Sequence, residues 1–171
     1  MIRRLTAADA DSVPTFLNHQ YVLDPASGGT QAPSRDWVQK LGNEGMAWLA
    51  EEGGAIVGML GPALFGVRVD KPGGPKITFV YFYLLAVEYT LYGTARDEAR
   101  RIARELTLAA ADDIQGSGKV PDEIRVGGPK ESRGGHWCVE LGMELIEERG
   151  GYCTWRLPFA LIWERAKATE R

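Results

Sequence analysis

Six residues in the middle of the chain, Thr90-Leu91-Tyr92-Gly93-Thr94-Ala95, have the composition of a turn that receives an anion. They follow a long apolar run and precede a helical pattern. The first backbone amides of a helix lack internal partners and the macrodipole is positive there, so a phosphate is favoured at such a turn. Gly93 permits close approach of the backbone to a ligand. A tight strand-to-helix turn with no ligand has the same composition. Other chemistry-bearing residues give weaker patterns. His19, His136, Cys138 and Cys153 do not have the spacing of a zinc site. Ser12, Ser34 and Ser132 lie in no nucleophile elbow. Arg96, Arg100, Arg101 and Arg104 share one helical stretch with Asp97, Glu98, Glu105, Asp112 and Asp113, which describes a solvated, salt-bridged face.

Those residues must be held by a strand and a helix. Ile77 to Val87 is rich in aromatic and β-branched residues and reads as a strand buried on both faces. After Gly93, the residues Ala95, Ala99, Ile102, Ala103, Leu106 and Ala110 recur at steps of three and four, one apolar stripe of a helix. Glu123 to Gly127 follows as a short strand. Strand, crossover helix and strand make a βαβ unit, which places the two strands parallel and close.

Upstream, Met1 to Leu5 reads as a strand, and Thr6 with Asp9 as the capping arrangement of a helix running to about His19, its start delayed to near Ser12 by Pro14. Tyr21 to Pro33 is a loop and the first candidate for substrate contact. A short helix from Ser34 is expected to stop at Gly42. Gly45 to Glu51 and Ala55 to Val69 are strands around a Gly-Gly turn, the second broken near Gly61-Pro62. Downstream, Gly128 to Gly135 reads as a loop, His136 to Leu141 as a short helix, Met143 to Glu148 with Tyr152 to Pro158 as a hairpin, and Ala160 to Lys167 as a last helix. One mixed α/β domain spanning 1–171 accounts for these elements.

A chain of 171 residues with 44% apolar and 25% charged residues can bury a core without disulfides or metals. Its net charge of −3 and pI near 5.5 give no electrostatic case for nucleic acid. Two cysteines make no disulfide framework, the start lacks a secretion signal, and the longest apolar run is far short of a membrane span. The expectation is a cytoplasmic protein.

The order of these elements resembles the GCN5-related N-acetyltransferase (GNAT) family. The resemblance rests on IRRLTAADADSV, AIVGML, the strand ending LLAVE, the turn TLYGTA and the late segment HWCVELGMELIEE. It implies a GNAT-like central mixed β-sheet, mostly antiparallel with one parallel βαβ unit and helices on both faces. It also implies acyl transfer from acetyl-CoA to an amine on a small molecule or protein. The coenzyme A arm would run beside Ala86, Val87 and Glu88, with its diphosphate on Leu91, Tyr92, Gly93, Thr94 and Ala95 and Arg96 adding charge. The family's turn begins with Gln or Arg where this chain has Thr90. By analogy the Val87 amide serves the thioester carbonyl, and Glu88 takes a proton from the attacking ammonium. The family's proton-donating Tyr is replaced by Cys138, so Cys138 itself or the neighbouring His136 becomes the candidate acid. A strand-end carboxylate, an apolar filler thiol and a surface histidine are the alternative readings of these three. A GNAT-like binding or scaffold protein without catalysis fits both departures. The paired strands would also support a homodimer, while membranes and nucleic acid are not expected partners.

Overall fold

The computed structural model describes residues 1–23, 33–44, 46–69, 71–88 and 96–170. Strand β1 (Ile2–Arg4) and a 3-10 turn (Ala7–Ala10) lead to helices α1 (Ser12–Leu23) and α2 (Arg35–Glu44). Strands β2 (Trp48–Glu52), β3 (Ala55–Leu60), β4 (Ala63–Val69), β5 (Lys76–Phe82) and β6 (Leu85–Val87) precede the long helix α3 (Arg96–Gly116). The chain continues through β7 (Glu123–Pro129), α4 (Arg133–Glu140), β8 (Glu144–Arg149), β9 (Tyr152–Pro158) and α5 (Ile162–Ala168).

The strands form two sheets, in the orders β1-β2-β3-β6 and β4-β5-β7-β9-β8. The expected break at Gly61-Pro62 divides what reads as one long hairpin. Pro62 has no N–H to give a ladder, and Gly61 holds a φ of +126° that favours glycine. Tyr83-Leu84 breaks the opposite strand at the same level. The spacer peptides bond to each other, Gly61 N to Leu84 O at 2.9 Å and Tyr83 N to Pro62 O at 3.3 Å. Leu60 faces Leu85 and Ala63 faces Phe82, so the register is unchanged across the break. The facing is not. Leu60 and Ala63, three apart, both join the core under α3, while Leu84 packs with Ala86 on the opposite side. Two residues on each strand therefore swap the faces of the hairpin and keep its pairing.

Helix α3 carries the predicted stripe. Ala99, Ile102, Ala103, Leu106 and Ala110 are buried, with Ile114 continuing the series. Arg101 is clamped by Glu98, Glu105 and Glu52, and Asp113 accepts from Trp48 Nε1 at 2.7 Å and Arg4 Nε at 2.8 Å. On the other face of the first sheet, Leu49, Met59 and Ala86 pack with Val13 and Leu17 of α1 and Val38 of α2. The βαβ expectation is met, because β5 and β7 pair in parallel from Phe79–Glu123 to Phe82–Val126.

Helix α1 runs on to Leu23, past its expected end near His19, and α2 and α4 also differ from the sequence reading. Gly42 does not end α2, which continues to Glu44; a Cβ at Gly42 would collide with the backbone of Thr6 and Ala7, so this glycine lets the helix lie against the 3-10 turn. Helix α4 begins at Arg133 rather than His136. Ser132 caps it, accepting from Gly135 N at 3.1 Å and donating to Pro129 O at 2.7 Å. Among the described residues no helix is long and apolar enough to cross a membrane.

Candidate active site

The parallel pairing of β5 with β7 ends at Phe82 and Val126. Beyond that level β6 stays with β3, and Gly127, Gly128 and Pro129 stay with Thr154, Cys153 and Tyr152 of β9. The two inner strands separate and leave a cleft. Tyr83 to Val87 form one wall and Gly127 to Pro129 the other, with Gln20 and Tyr21 of α1 at the side and Ser132 to Gly135 of α4 behind.

The β6 wall is a strand edge. Leu84 O accepts from Gly61 N and Glu88 N donates to Val57 O at 2.8 Å, so the even-numbered residues here bond to β3. An antiparallel ladder alternates, which turns the N–H groups of Leu85 and Val87 toward the cleft. The β7 wall has almost no side chains. A Cβ at Gly127 would overlap the Tyr81 hydroxyl, so the glycine gives that ring its place. Tyr81 Oη lies 3.4 Å from Tyr152 Oη, and burial, then this contact, holds its proton on well above the usual phenol range. A slot with two amide donors on one side and bare glycine backbone on the other accepts a slim, amide-bearing chain in the manner of an added strand.

Ala86 and Val87 are buried on the cleft wall. Glu88 stands at its margin, half-buried, and accepts from Gln20 Nε2 at 2.9 Å. Arg96 opens α3 with its side chain largely exposed, 3.6 Å from Glu140, and Arg100 donates to the same Glu140 oxygen at 2.9 Å. Leu91, Tyr92, Gly93, Thr94 and Ala95 lie outside the described residues, as does most of the Tyr21 to Pro33 stretch read as a loop; Tyr21 to Leu23 are still helical. The two candidate acids lie off the cleft. Cys138 faces the core from α4, and burial pushes its thiol up to about 12. His136 is on the opposite, exposed side of that helix, 3.8 Å from Glu131. The helical period explains the split, since residues two apart point to opposite sides. Among the described residues no His, Cys, Asp and Glu group has metal-site geometry.

Tyr21, the first residue of the stretch expected to contact substrate, lines the cleft, whereas sequence reading passed over Gln20, Tyr83, Gly127, Gly128 and Arg133, which line it too. A signal existed at Gly127-Gly128-Pro129, three consecutive residues unable to fill the space beside a strand.

The architecture that holds this cleft is also found in solved structures. A ribosomal-protein-alanine N-acetyltransferase from Brucella melitensis superposes with a TM-score of 0.62 at 14% identity, over 92% of this chain and 99% of that one. The fold is that of the GNAT acetyltransferases. A putative acetyltransferase from Salmonella typhimurium, determined with its cofactor acetyl-CoA, gives 0.63 at 15% identity over 93% of each chain. A polyamine N-acetyltransferase from Drosophila melanogaster gives 0.61 at 14% identity, over 92% of this chain and 99% of that one. No protein-family model and no curated protein sequence matches the chain. At such identities the GNAT likeness extends to architecture, and the side chains of the cleft are this chain's own.

Proposed function

We propose that this chain is an acyl-CoA-dependent N-acyltransferase that moves an acyl group from a thioester such as acetyl-CoA to a primary amine by direct attack. The outward-turned amides of Leu85 and Val87, opposite Gly127 and Gly128, carry this reading. Coenzyme A would supply an acyl group activated as a thioester, on an arm whose own amides match that edge. Val87 N–H serves the carbonyl oxygen, on which negative charge grows as the amine attacks. Leu91, Tyr92, Gly93, Thr94, Ala95 and Arg96 serve the diphosphate. Solved structures of this fold include enzymes named for a ribosomal-protein alanine and for polyamines, and an amine is their shared acceptor chemistry.

A protonated amine has no lone pair, so the acceptor must first lose a proton. Glu88, oriented by Gln20, draws the ammonium to the cleft margin and takes that proton through water. The nitrogen then forms the C–N bond as the C–S bond breaks, and its second proton goes to the departing sulfur. Tyr83 is the phenol on the cleft wall that relays it. Cys138 and His136, which lie off the cleft, take no part in this relay.

The protein's melting temperature measured with coenzyme A and with acetyl-CoA tests the binding half. A rise is expected, and Gly93→Glu should remove it; no rise at millimolar ligand ends the proposal. Thiol release across a panel of amines tests the chemical half, with Glu88→Gln expected to lower kcat about 100-fold. The buried thiol of Cys138 at the family's tyrosine position favours one second reading, a GNAT-like protein that binds the coenzyme without turnover. Binding with no thiol release for any amine would select it.

A further inference from the structure

A second cavity lies directly behind the cleft, between the sheets and helices α3 and α4. Leu84, Leu85, Val126 and Gly134 line both spaces, so the two are neighbours through one wall. At Gly134 a Cβ would meet nothing closer than Leu85 O at 3.8 Å, which leaves room at the shared wall. Deeper in, Phe82, Ala111, Ile114 and Trp137 enclose it with Cys138. Its one hydroxyl is engaged, since Thr107 Oγ1 donates to Ala103 O at 2.8 Å and accepts from Trp137 Nε1 at 3.3 Å. The cavity measures about 40 Å³. At roughly 10–15 Å³ for each water-sized group, it holds about three of them. A wall this apolar gives water too few partners and takes hydrocarbon instead.

We propose that this cavity receives the tail of the acyl group, and that the preferred donor is a thioester of a straight aliphatic acid of about four to five carbons rather than of acetate. The inference rests on the acyltransferase reading above. Leu85, at the shared wall, is two residues along the same strand from Val87, whose amide serves the carbonyl there. An acetyl group ends in the cleft, and added methylenes extend the tail toward the wall and the cavity behind it. The chemistry is unaltered: one C–N bond forms, one C–S bond breaks, and the sulfur ends as a thiol.

Calorimetric titration of the unmodified protein with coenzyme A and its acetyl, propionyl, butyryl, pentanoyl and octanoyl thioesters tests this without turnover. Affinity should rise about fourfold per methylene, the gain for a buried CH2, to about 15-fold from acetyl to butyryl, and fall again at octanoyl. Equal or tighter binding of acetyl-CoA than of butyryl-CoA overturns the inference and leaves the acyltransferase reading intact. A gain that continues to octanoyl overturns the assigned size. Failure of every ligand, coenzyme A included, overturns both. Ala111→Leu fills the cavity from α3 and should bring the butyryl-to-acetyl affinity ratio close to one. An unchanged ratio in that variant would show that the tail lies elsewhere. Should Ala111→Leu not fold, the series on the unmodified protein decides alone.

Discussion

The two sheets are built to different tolerances. In the first, neighbouring residues point into separate cores, Leu49 and Met59 toward α1 and α2, Trp48, Ala50 and Leu60 toward α3, and all are buried. In the second, Cys153, Trp155 and Leu157 alternate with exposed or half-buried residues along β9, and the reverse side shows Leu64 at 51% and Tyr152 at 49% exposure. A strand covered on both faces allows no slack, whereas one covered on a single face alternates and can shed side chains toward solvent. The cleft opens where the two regimes meet, and there the β6 edge lies inside the molecule without a strand beside it.

Leu106→Ala strikes the doubly covered sheet at its centre. Leu106 is fully buried, and the change should lower unfolding free energy by about 2–5 kcal/mol in urea titration. A loss under 1 kcal/mol would mean that this core is not tightly packed. Gly127→Ala strikes the seam. Overpacking should cost about 1–3 kcal/mol and weaken coenzyme A binding, and adding Tyr81→Phe should restore part of the stability by removing the overlapped oxygen. No recovery would show that the glycine answers to something else.

Asp9→Asn probes the rim of the first sheet by charge. Arg3 bonds Asp9 at 2.6 and 2.8 Å and Glu51 at 2.5 Å, and Thr6 N donates to Asp9 at 2.8 Å. The Arg3 guanidinium, opposed by burial and aided by Thr6, holds the Asp9 carboxyl below its ordinary range. A lowered folded value gives stability that is present above the unfolded carboxylate pKa and lost as pH falls through the folded one. The variant should therefore be about 1–3 kcal/mol less stable at pH 7, with the gap closing in acid; a pH-independent gap would refute the ionic origin. Leu64→Ala, on the open side of the second sheet, should change stability by less than about 0.5 kcal/mol. A larger loss would mean that this face is covered by a partner in solution.

What the sequence disclosed divides along similar lines. The α3 stripe, the parallel β5 and β7, and the break at Gly61-Pro62 are local patterns, and each is where the spacing put it. Gly42 misled because a helix stop and a close approach to Thr6 use the same residue, and only the distant partner tells them apart. The start of α4 was hidden because Gly134 and Gly135 read as loop, while Ser132 supplies the cap that holds them helical. The Gln20–Glu88 bond joins residues 68 apart and has no sequence pattern at all. The cleft follows suit: its β6 wall is visible in LLAVE, and its depth is set by contacts between elements.

The paired spacers Gly61-Pro62 and Tyr83-Leu84 have a consequence for how this site can change over generations. Losing one residue from a single spacer would put one strand out of step with the other, give Leu85 the place of Leu84, and turn the Val87 N–H from the cleft to β3. Losing one from each would restore simple alternation and straighten the hairpin. The two spacer lengths are therefore inherited as a unit, and descendants of this chain should shorten or lengthen them together, twenty residues apart in the gene and side by side in the fold.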